Sequence, residues 1–138
     1  MASSEPDKPP TVAAAIDVIE STYELTLAYA AQGRQGEDQD PLGVRQALRR
    51  TEAALDVLAA ATPSDFGSPG GAVAQATTDM LAVLKQDVAN ARAAIRFVLA
   101  QRAIGSQIID NLNASIHVRA LLTDIFLLDE AFEKTHSA

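Results

Sequence analysis

From Thr11 onward, Val12, Ile16, Ile19, Tyr23, Leu27 and Ala30 recur at spacings of three and four, the period of one helix face. Asp17, Glu20 and Glu24 fall on another face, where water solvates them. The spacing predicts an amphipathic helix over 11–32, closed by Gly33. Asp40-Pro41, a capping side chain followed by proline in the first turn, predicts a second helix over 41–61. Its narrow apolar stripe is Val44, Leu48, Thr51, Leu55 and Leu58, and Thr62-Pro63 ends it.

Residues 62–71 read TPSDFGSPGG, a run of turn formers and the clearest internal boundary. Phe66 within it is expected to plug the end of the core. Ser68-Pro69 repeats the cap-and-proline signal, predicting a third helix over 69–104 with the stripe Val73, Thr77, Met80, Leu84, Val88, Ala91, Ile95 and Val98. Between Ala72 and Lys134 the one plausible interruption is Gly105-Ser106, where Gly takes the left-handed position after a helix and Ser caps the next, over 106–134.

These elements predict an all-α protein, an antiparallel four-helix bundle over 11–138 behind a disordered N-terminal arm at 1–10 that holds Pro6, Pro9, Pro10 and several polar residues. The alternative is two shorter helices packed on one very long C-terminal helix. That rod of about sixty residues would reach roughly 90 Å, beyond what the first two helices cover.

Composition narrows the chemistry. Apolar residues make up 48% of the 138 and aromatic ones only 4%, so the core is built from Ala, Leu, Ile and Val, a mixture that suits helices over sheets. Eighteen acidic residues against eleven basic ones give a net charge of −7, which disfavours nucleic acid and anionic membrane surfaces as partners. With no uncharged apolar stretch of about twenty residues, no membrane insertion is expected, and with no export signal in the opening residues the expected location is the cytoplasm.

The chain has no cysteine and only two histidines, His117 and His136. Its single Glu-x-x-His, Glu133 to His136, lacks the second such pair that a di-iron bundle uses, and there is no glycine-rich phosphate loop and no nucleophile elbow, so no catalytic residue, metal site or cofactor is expected. Gly67-Ser68-Pro69-Gly70-Gly71 reads as a flexible helix entry, and Arg92 and Arg96 as ion-paired or solvated surface. Asp79, Asp87, Asp110 and Asp124 are inward-facing candidates only in the sense that every helical acid is, and they read as solvated.

His117 carries the sharpest chemical alternative. The segment SIHVRALL loosely resembles the phospho-acceptor helix of histidine phosphotransfer proteins, without the Lys-Gly that usually follows the histidine. The resemblance implies an exposed imidazole midway along a bundle helix.

The last predicted helix is the most informative. On a wheel, Val118, Leu121, Leu122, Ile125, Phe126, Leu128 and Phe132 occupy an arc of roughly 160°, with Leu127 outside it, wider than one bundle seam needs. Either this is the central core helix, or part of the arc stays exposed and buries against another chain. The second reading nominates Leu121, Ile125, Phe126, Leu127, Leu128 and Phe132 as a partner-binding face. The expected function is then that of a non-enzymatic adaptor, secretion-type chaperone or regulatory subunit. Unequal helix lengths, about 21 residues in each of the first two and about 30 or more in the others, predict a homodimer. A lipid or pigment carrier is a further alternative and requires an internal cavity.

Overall fold

The computed structural model describes residues 8–38, 40–67 and 71–137, with side chains described as far as residue 131. It contains five α-helices, α1 Val12–Ala30, α2 Val44–Ala59, α3 Ala72–Leu99, α4 Ser106–Ala114 and α5 Ile116–Ser137, and a 3-10 turn over Pro63–Phe66. Among the described residues there is no strand, so the fold is all-α, but with five helices rather than the four expected. Most of the predicted N-terminal arm, residues 1–7, and the predicted Ser68-Pro69 helix entry lie outside the described residues.

Thr11 caps α1, its hydroxyl accepting from Ala14 N at 3.0 Å. The buried stripe of α1 is rotated from the one predicted: Thr22, Thr26 and Tyr29 turn inward while Leu27 is exposed. This is tolerated because Thr26 and Tyr29 find acceptors inside, Tyr23 O at 2.9 Å for the Thr26 hydroxyl and Ile104 O for the Tyr29 phenol. Helix α2 starts at Val44, later than the Asp40-Pro41 signal implied. Asp40 still organises the entry from one turn upstream, its carboxylate accepting from Leu42 N at 2.9 Å and Val44 N at 2.7 Å. Gly43 precedes the helix at φ 66°, a left-handed conformation that glycine adopts without strain.

Cross-helix pairs fix the packing directions. Arg92 pairs with Asp56 and Arg96 with Glu52, so α2 and α3 run antiparallel; these partners lie on α2, not among the acids close to the arginines in sequence. Phe66 is buried in the 3-10 turn and joins the main core cluster, as expected for a plug.

The third helix stops at Leu99, well before the predicted residue 104, because the following loop is tied to the α1–α2 connection. Arg45 donates to Leu99 O at 2.7 Å and Gln101 O at 3.0 Å and pairs with Glu37, whose other oxygen accepts from Ile104 N at 2.7 Å. Ser106 Oγ donates to Tyr29 O at 2.7 Å and accepts from Arg34 N at 2.8 Å, while Ser106 N donates to Arg34 O at 2.8 Å. The break at Gly105 is therefore real, which removes the single long C-terminal helix. Its cause differs from the predicted left-handed cap: Gly105 is extended, at φ −90° and ψ 173°. A Cβ there would sit 3.0 Å from the carbonyl oxygens of both Arg34 and Gln35, so the position is reserved for glycine by close backbone approach.

The predicted helix over 106–134 is broken a second time, at Ser115, which is extended at φ −64° and ψ 148°. Its hydroxyl accepts from Val118 N at 3.3 Å and so caps α5. The break divides the packing: α4 lies chiefly on α1 and α5 chiefly on α3. No helix among the described residues is long and apolar enough to cross a membrane.

Candidate functional site

Helix α5 is split between core and surface. Leu121, Ile125 and Leu128 are buried in the main cluster, together with Val118 and Leu122. Phe126 and Leu127 face outward at 50% and 59% exposure, and Ile116 at the start of the helix is 74% exposed. Ile116 and Leu127 stand about three turns apart on nearly one line of the helix, since eleven residues close about three turns. Of the six residues nominated as a partner face, two are thus on the surface and three in the core. The side chain of Phe132 lies outside the described residues.

His117 is exposed, as is Arg119. It is the second residue of α5, however, and not midway along a helix.

The seam where α1, α2, α3, α4 and α5 meet encloses a cavity of about 30 Å³ lined by Ile19, Leu48, Ile95, Leu112, Leu121 and others, with Thr22, Thr26, Thr51 and Asn113 among its walls. That volume holds about one or two water molecules. The Thr26 hydroxyl, which reaches Tyr23 O, also stands 3.2 Å from Asn113 Oδ1; its single proton serves one of the two at a time. Asn113 Nδ2 is buried with no hydrogen-bond partner among the described residues.

The other unusual polar group is Asp124, only 6% exposed on the core side of α5. Its Oδ2 is buried and meets no hydrogen-bond donor among the described residues. Across the seam, on α3, lies another carboxyl, Asp87, within hydrogen-bonding reach. A hydrogen bond between two carboxyl groups exists only when one of them holds a proton. Burial first, and then Asp87, push the Asp124 carboxyl up to about 7. The other acids named with this pair are unexceptional: Asp79 is exposed and accepts from Gln75, and Asp110 is exposed.

Periodicity carried a hint of this. Asp124 follows Leu121 by three residues and precedes Leu128 by four, the spacing of a position inside the stripe. Its partner on α3 is set by the pairing of two helices and has no signature in the local sequence.

The opposite pattern holds at the other end of the molecule. Glu37 is held below the usual carboxylate range chiefly by its hydrogen bond from Arg45, against an opposing effect of burial, with a further contribution from Ile104 N. Burial, with Asp40 and Glu37 nearby, raises the Tyr29 phenol above its ordinary value, keeping it a proton donor to Ile104 O. Beside these loops runs an open groove of about 410 Å³ lined by Arg34, Gln35, Gln101, Gln107 and Asp110.

Among the described residues no group of three or more His, Asp or Glu side chains is placed to hold a metal ion. Comparison of the chain with models of protein families, with curated proteins and with solved structures finds no match.

Proposed function

We propose that this chain is a cytoplasmic, non-enzymatic helical interaction protein, an adaptor, secretion-type chaperone or regulatory subunit, that binds a protein partner or a second copy of itself through the outer face of α5. The observation that supports this reading is the exposure of Phe126 and Leu127, with Ile116, on a helix whose other large apolar residues are core as far as its side chains are described. Large apolar side chains kept in water cost stability, and a helix that presents several of them to solvent offers anchors for another helix. The charge of −7 favours a protein over a nucleic acid as the partner.

The test is affinity capture from the native cell extract with the double variant Phe126→Ser, Leu127→Ser beside the wild type, together with light-scattering mass at micromolar concentration. The variant is expected to lose both captured partner and self-association while its helical circular dichroism is unchanged. Capture and mass identical in the two proteins would overturn the reading, as would a wild type that is strictly monomeric and captures nothing.

A further inference from the structure

The α3–α5 seam places a carboxyl where a hydrophobic core wants none. Asp124 is buried, one of its oxygens lacks a donor, and the group across the seam is the like-charged Asp87. Among the described residues no cation acts on Asp124. On α3, Lys85 is exposed, while Arg92 and Arg96 are engaged with Asp56 and Glu52 on α2. The remaining elements packed on α5 bring acids only, Asp110 on α4 and Asp65 on the 3-10 turn, where Asp65 is occupied by Thr62. On α5 itself, His117, Arg119 and Glu130 are exposed and Asp129 is half-buried.

With both groups ionised, two negative charges face each other in a water-poor seam; with one proton between them they form a hydrogen bond that joins the helices. We infer that the proton shared by Asp87 and Asp124 is a latch that holds α5 on α3, and that its loss in mildly alkaline solution loosens α5 and uncovers Leu121, Ile125 and Leu128. The covalent geometry assists. Helix α5 is joined to α4 by the single residue Ser115 and packs mainly on α3, so it can loosen while α1 and α2 stay packed. The latch requires no partner and stands whether or not the outer face of α5 binds one.

Hydrogen exchange of the full chain at about pH 5.5 and about pH 8.5, corrected for intrinsic base catalysis, tests the latch. Exchange of α5 amides is expected to rise at least about tenfold at the higher pH relative to those of α1, and Asp124→Asn, which carries the neutral shape at every pH, is expected to abolish that difference. An α5 as protected at high pH as at low overturns the inference. So does a difference that persists in both Asp124→Asn and Asp87→Asn, which would assign the titration to another group. Should the variants fail to fold, the carboxyl carbon resonances of the wild type decide: a step for the pair near neutrality supports the latch, and steps confined below about pH 5 overturn it.

Discussion

Two seams hold the C-terminal part of this chain to the rest, and they solve the problem of buried polar groups in opposite ways. Where the loop after α3 and the start of α4 meet α1, donors face acceptors: Tyr29, Ser106, Arg45 and Glu37 each find partners of opposite character. Where α5 meets α3, an acid faces an acid. The matched seam is fixed by geometry, whereas the mismatched one depends on a proton that the solvent can withdraw. Satisfied buried polar groups specify a structure; a like-charged pair makes part of it conditional.

The sign of the pH response separates the two. Asp124 is raised from 3.8 to about 7, so its contribution is fully present below pH 3.8 and is lost as pH climbs through about 7. Glu37 is lowered from 4.5, so its contribution is present above that value and is lost as pH falls through its folded-state pKa. Acid therefore tightens the α3–α5 seam and weakens the loop seam.

The largest expected effect breaks the matched side. Ser106→Ala leaves Arg34 N without its acceptor and takes from Tyr29 O one of two donors, Gln32 N remaining at 3.1 Å, and is expected to cost about 2–4 kcal/mol in urea unfolding at neutral pH. A loss under about 0.5 kcal/mol would show that the seam is not held by this hydroxyl. Next comes the mismatched side, with the opposite sign. Asp124→Asn is expected to stabilise the protein by about 2–4 kcal/mol above pH 8 and to be nearly neutral near about pH 3, below the ordinary value of 3.8, where the wild-type carboxyl is mostly protonated folded or unfolded. Paired urea titrations at the two pH values measure it, and equal effects at both would break the contrast between the seams. Gly105→Ala should cost about 1–3 kcal/mol, since the new methyl must displace two backbone carbonyls, and the loss should be indifferent to pH between 5 and 9.

Much of the architecture was legible before any coordinates. The three-and-four spacing from Val12 to Ala30 located α1, and the turn-forming run after Thr62 located the boundary before α3. Gly105 marked a true break where the chain passes close to two carbonyls that a Cβ would crowd, although its backbone is not the one expected. Ser115 passed unnoticed. It lies between Leu112 and Ile116, which continue the helical spacing, so its capping role shows only once α5 leans on α3. The surface was harder to read than the core. Phe126 and Leu128 share one arc of the wheel, and only the position of α3 decides that the first is wet and the second dry. Asp87 looks like any other helical acid, and Asp124 differs from one only by its place within the stripe, because burial belongs to the packed molecule and not to the residue.

The single-residue joint at Ser115 also bears on which length changes this chain tolerates in evolution or engineering. With no slack between α4 and α5, the rotational phase of the second helix is locked to that of the first. One residue added just after this joint, within the first turn of α5, would turn everything beyond it by about 100°, delivering Asp124 and Leu127 to the places now filled by Ile125 and Leu128. Insertions and deletions should therefore be excluded from this joint.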